Sequence, residues 1–287
     1  MSGQTIWDKL ARMDRRVFYW ILFICLTVPY MTPLGLPITV TPSTRSYYDG
    51  LKTIQPGEVV LLSINSGVSA WGDCLPAMVA SVYQVHEQGG KLIVWSIGYN
   101  DCDITWARIK TLLATNVFTD WVEGEDYVYF GYCPGQETNV ALLRDNIRGV
   151  YTKDVRGVAT DDIPLMEDIN DASKIKFVMS SDTGDAQIYY IRQWKNGPVN
   201  YVGSGQPPLV AEMGIAMNKS GDMVYYLSGD EFGLVAGSRG AAELEALVGL
   251  KGNATITMDS ISVSHVLLVL AIILANVGMF ATRGQKK

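Results

Sequence analysis

Hydrophobic positions fall into three textures along the chain. Residues 17–40 (VFYWILFICLTVPYMTPLGLPITV) and 261–281 (ISVSHVLLVLAIILANVGMFA) are apolar runs without a charged side chain. Between them, short β-rich runs at 58–64, 91–97, 126–132, 174–180, 199–203 and 222–228 alternate with amphipathic stretches at 72–88, 104–115, 137–149, 185–195, 208–218 and 239–250. A further helical stretch, 44–54, precedes the first run. Such alternation predicts βα units around a mostly parallel sheet, and near-continuous apolarity within the runs predicts strands covered on both faces. The stretch 150–173 fits neither texture and reads as an insertion or an irregular crossing.

The fold class expected is therefore α/β, a Rossmann-like, mostly parallel sheet with flanking helices, set between two transmembrane helices. Strand order does not follow from the pattern. In 72–88, Leu75, Met78, Val79, Val82, Tyr83 and His86 share one helical face, so His86 continues an apolar stripe and reads as a packed residue. Gly89-Gly90 then reads as the stop of that helix.

A helix over 17–40 reaches about 36 Å, enough for a hydrocarbon core of about 30 Å. The run is long and no small-x-small site follows it, so it reads as an uncleaved anchor rather than a signal peptide. Pro29, Pro33 and Pro37 recur at i, i+4 and i+8 and predict that the outer half is kinked or ends early. The second run carries Ser262, Ser264, His265 and Asn276. His265 and Asn276 are candidate interhelical contacts, with headgroup contact the alternative for His265.

Charge gives the arrangement a direction. Lys9, Arg12, Arg15 and Arg16 precede the first run, and Arg283, Lys286 and Lys287 follow the second. Both termini are therefore expected in the cytoplasm, with the middle outside a two-pass plasma-membrane protein. The expected segments are a cytoplasmic amphipathic flank (1–16), a first span (17–40), an extracytoplasmic domain (41–260), a second span (261–281) and a basic tail (282–287). In the flank, Ile6, Trp7, Leu10 and Met13 share one helical face suited to the lipid surface. Residues 41–260 hold 16 of the 23 basic and 27 of the 29 acidic side chains, a formal charge of −11. A surface of that sign argues against nucleic acid, leaving the lipid bilayer and other membrane subunits, or further copies of the chain, as expected partners.

In an open α/β sheet the ligand crevice lies beyond the carboxyl ends of the strands. The ends expected here bring Asn65 and Ser66, Asp101 and Asp103, Cys133 to Gln136, and Asp182 and Asp185 toward one region. These oxygens suit a divalent cation or a polar ligand. The alternative is that Asn, Asp, Ser and Gly are simply what loops and helix caps contain. In the glycine-rich segment from Gly229 to Glu243, Gly233, Gly237 and Gly240 permit close backbone approach, and a helix starting near Ser238 would offer N–H groups to an anion. Asp230, Glu231 and Glu243 oppose an anion, so packing against a neighbouring subunit or the membrane surface is the preferred reading.

The rest of the inventory argues against catalysis. His86 and His265 are the only histidines, so Ser-His-Asp and Cys-His arrangements lack a placed base. Cys74, Cys102 and Cys133 have no C-x-x-C spacing for zinc, and whether two of them form a disulfide stays open. No Gly-x-Gly-x-x-Gly follows the first run, so no cofactor is expected. The expected function is a non-catalytic scaffold subunit of a membrane assembly, with a ligand-binding or sensory domain as the alternative.

Two resemblances accompany these readings. The loop Ser63 to Ser69 resembles a degenerate form of the metal-binding turn of von Willebrand A-type domains. Asn65 stands where those carry Asp, so metal-dependent adhesion does not carry over. Arg15-Arg16, Pro33-Leu34-Gly35-Leu36-Pro37, Gly124 to Tyr129 and Gly233 to Glu243 are similar to a group of two-helix, membrane-anchored, Rossmann-like proteins with no established activity. That similarity implies the architecture only.

Overall fold

A computed structural model of the chain describes residues 14–194, 202–203, 205–206, 227–228 and 231–283. It divides into two compact units, one of Met1–Pro37 with Thr255–Lys287 and one of Ile38–Ala254. The helices are α1 (Arg15–Met31), α2 (Pro42–Leu51), α3 (Trp71–Glu87), α4 (Cys102–Leu112), α5 (Gln136–Asp145), α6 (Ile147–Val150), α7 (Ala186–Trp194), α8 (Gly237–Val248) and α9 (Asn253–Arg283).

In the larger unit, β1 (Val59–Asn65), β2 (Lys91–Ser96), β3 (Tyr127–Tyr132) and β4 (Ile175–Asp182) form one sheet with the two-residue β5 (Val202–Gly203). The order is β3-β2-β1-β4-β5, with every pairing parallel. This Rossmann-like order reverses direction between β1 and β4, where Leu61 pairs Val178 and Asn65 pairs Asp182. Short strands complete the unit: β6 (Gly205–Gln206) pairs β9 (Val235–Ala236), and β7 (Leu227–Ser228) pairs β8 (Glu231–Phe232).

The β1–β4 interiors are buried on both faces, as their continuous apolarity requires. α3 is buried on nearly all sides, including Ser81 and Gln84 on its nominally polar flank, because it packs on both the sheet and α8. Its end follows the expected stop. Gly89 takes φ +70°, and the N–H of Gly90 reaches back to the Val85 carbonyl at 2.9 Å. His86 is half-buried on the helix face, its ring edge-on to Trp121 at 5.6 Å. The 150–173 stretch is an irregular crossing made of short 3-10 turns.

The core holds a polar chain. The Trp95 indole N–H donates to the Tyr190 hydroxyl at 2.7 Å, and that hydroxyl lies 2.6 Å from Ser63 Oγ. An indole can only donate, so Tyr190 accepts from it, while either hydroxyl can donate in its bond with Ser63.

The smaller unit corrects the expected first span. α1 stops at Met31, and its 17 residues cover about 25 Å rather than the length expected of 17–40. Pro33 and Pro37 cannot continue a helix, and Gly35 between them takes φ +65°. α9, in contrast, starts eight residues before the expected second run. Among the described residues, Asn253–Phe280 alone is a helix long and apolar enough to cross a membrane.

Residues 1–13 of the expected flank, the helix at 208–218, most of the 222–228 strand and 284–287 of the tail lie outside the described residues.

Candidate functional site

The reversal between β1 and β4 is where a Rossmann-like sheet opens its crevice. Here it is closed by the chain's own bonds. Asn65, wholly buried at the end of β1, accepts from the backbone N–H groups of Ile97 and Gly98 at 3.0 and 3.2 Å. Its amide nitrogen donates to Ser63 Oγ at 2.8 Å and Ser180 Oγ at 3.2 Å. Two backbone donors require an oxygen on their side, so the amide orientation is fixed. β1, β2 and β4 are thereby joined through one side chain.

Beside it, Ser66 Oγ and Ser181 Oγ lie 3.0 Å apart, both buried. The Cys74 thiol reaches the same spot from α3, and burial pushes its pKa up to about 11 against the opposing hydrogen bonds of Ser181 and Ser66. It is a protonated packing group at neutral pH, not a nucleophile. Asp182 turns back on its own loop, accepting from the N–H groups of Gly184 and Gln187, each at 2.7 Å. Burial outweighs those bonds and pushes its carboxyl up to about 6.

The loops are also tied across their tips. Asp101 Oδ2 accepts from the Val68 N–H at 3.1 Å. Thr183 Oγ1 donates to the Tyr99 hydroxyl at 2.7 Å, and the Thr183 N–H to the Asn65 carbonyl at 3.3 Å. Asp103 accepts from the Tyr129 hydroxyl, on the far side of α4's first turn. Of the six expected ligand residues, five are therefore engaged within the chain, and Asp185 is exposed. One oxygen stands apart: Asp101 Oδ1 is buried without a hydrogen-bond partner. Among the described residues, no group of three or more His, Cys, Asp or Glu side chains is arranged to hold a metal ion. All four cysteines are free thiols, which settles the open pairing of Cys74, Cys102 and Cys133.

The glycine-rich segment is likewise turned inward. Gly233, Gly237 and Gly240 are buried, and a Cβ on Gly240 would stand 3.2 Å from the Val235 carbonyl carbon, so the close approach it permits is to its own strand. The first turn of α8 is served by Asp73, which accepts from the Ser238 N–H at 3.0 Å. Glu243, fully buried, accepts from the Thr41 N–H and hydroxyl at 2.9 and 2.6 Å and from Arg239 at 3.0 Å. Glu245 accepts from the Ala254 N–H at 3.2 Å, at the start of α9. His265 and Asn276 are exposed on α9.

Tyr99 and Thr183 lie in the loops expected at the strand ends, where sequence reasoning gave neither a role of its own, and Asp73, Asp259 and the two buried glutamates were missed as organisers. Only the placement of Glu243 and Glu245 near a helix start and an apolar run gave a signal. Compared with protein-family models, curated proteins and solved structures, the chain matches none.

Proposed function

We propose that the chain is a non-catalytic scaffold subunit of a membrane-anchored assembly. The observation that carries this reading is the closed crevice. Where Rossmann-like sheets receive ligands, Asn65, Ser66 and Ser181 bond across neighbouring loops, and Asp182 closes on its own loop. We read α1 and α9 as two membrane passages, with both termini cytoplasmic and the α/β domain outside the plasma membrane. The basic flanks of both apolar stretches support that direction. The exposed apolar side chains of α1 and α9 suit lipid or neighbouring helices.

The test is the mass of the detergent-solubilised, folded chain by light scattering or native mass spectrometry. A particle holding several copies, or companion subunits, is expected. A folded particle with one 31.5 kDa chain would overturn the scaffold reading.

A ligand-binding domain is the second reading, favoured by the partnerless Asp101 Oδ1. Thermal melts against a panel of divalent cations, amines and sugars separate the two. The scaffold reading expects no shift, whereas a ligand present at about 100 times its Kd stabilises by roughly 2.7 kcal/mol.

A further inference from the structure

One face of α1 combines charge and aromatic rings in a way the apolar helix does not require. Arg16, Tyr19, Trp20 and Phe23 follow at i, i+3, i+4 and i+7 and line an open hollow of about 360 Å³. The rings are 62, 66 and 57% exposed, far more than packing inside the unit would leave. Trp20 and Phe23 meet edge to face at 5.9 Å, which holds the indole in place.

The positive charge is free to act outward. Among the described residues, no carboxylate pairs with Arg15 or Arg16. The nearby Asp14 side chain accepts instead from the Arg16 backbone N–H at 2.9 Å. The hollow thus offers a guanidinium fork, with indole N–H and phenol O–H donors beside it and hydrocarbon faces below. A planar guanidinium matches two oxygens of a phosphodiester, and Trp and Tyr rings sit at headgroup depth with their polar edges outward. Among the described residues, no acidic side chain lines the hollow to repel an anion.

We propose that this face is a headgroup site for an anionic phospholipid, with Arg16 on the phosphate and Tyr19, Trp20 and Phe23 against the glycerol and upper acyl region. The proposal rests on reading α1 as embedded in the membrane. The full chain carrying Trp7→Phe is reconstituted in phosphatidylcholine vesicles containing either brominated phosphatidylglycerol or the same fraction of brominated phosphatidylcholine. Bromine quenching of Trp20 is then measured, with Trp20→Phe as background. Quenching by the anionic lipid is expected at about fivefold lower lipid fraction, the factor that one basic residue contributes at an anionic surface. Arg16→Gln should abolish that preference, while Arg15→Gln should leave most of it. Equal quenching by both lipids, or equal loss in the two variants, would overturn the site and leave the membrane reading intact. Quenching by neither lipid would instead show that α1 lies outside the bilayer and remove both.

Discussion

Asn65 commits all four of its amide hydrogen-bonding positions inside the chain, two as acceptor and two as donor. Asn65→Ala leaves the buried N–H groups of Ile97 and Gly98 without a partner, at a cost of about 3 kcal/mol. For a domain of this size that lowers Tm by roughly 8 °C, measurable by scanning fluorimetry of the solubilised chain. Asp182 has the opposite character, because its folded-state pKa, raised to about 6, lies above an unfolded value near 4. Over that interval the folded protein holds a proton that the unfolded chain has lost. Its contribution is therefore fully present below about pH 4 and is lost as pH rises through about 6. Asp182→Asn removes the titration, so its stability relative to the unaltered chain should rise by about 2 to 3 kcal/mol between pH 4 and 7. A constant difference between the two melting curves across that range would refute the assignment.

At the scale of elements, a carboxylate on α9 ties down the segment that follows α1 within the smaller unit. Asp259, 1% exposed, accepts from three consecutive backbone N–H groups, those of Leu34, Gly35 and Leu36, at 2.8, 2.8 and 3.0 Å. Three successive donors converge on one carboxylate because the chain turns there, with Gly35 at φ +65°. Asp259→Ala should raise hydrogen exchange at residues 34–36 at least about tenfold, corresponding to about 1.4 kcal/mol of lost protection. Gly35→Ala meets open space, so its cost is conformational alone, about 1 kcal/mol, and should appear as a smaller increase at the same amides. The alternating runs and the prolines made strands, helices and the early end of α1 legible. The start of α9 was not, since Asn253-Ala254-Thr255-Ile256-Thr257 carries no apolar run. Asp259 stands two residues before the second apolar run with no pattern to single it out. The strands end near where the pattern put them, yet periodicity gives the face of a strand residue and says nothing about loop side chains turning inward. Asn65, Ser66 and Asp182 therefore looked alike in the sequence, whereas Asn65 and Ser66 tie neighbouring loops together and Asp182 holds its own loop.

At the scale of the whole chain, the consequence of reading α1 as well as α9 as a membrane passage is geometric. Two crossings return the chain to the side on which it began, so residues 1 and 287 must share a compartment and 38–252 must lie in the other. The 17 residues of α1 reach only about 25 Å, less than the roughly 30 Å of hydrocarbon, a mismatch that local thinning or the Pro33 to Pro37 extension has to absorb. A single crossing by α9 would instead put the two ends on opposite sides. With a small tag at each end, protease added to intact cells should cut within the central domain and leave both tags protected until the membrane is opened. One tag digested and the other protected would mean that α1 does not cross. Both tags digested with the domain spared would keep two crossings and reverse the direction inferred from the basic flanks. The expected pattern places all seven basic residues of the tips with the cytoplasm and the −11 charge of residues 41–260 outside it. Net repulsion from anionic headgroups then opposes collapse of the domain onto the bilayer, so its attachment depends on the two chain connections and weakens little with added salt.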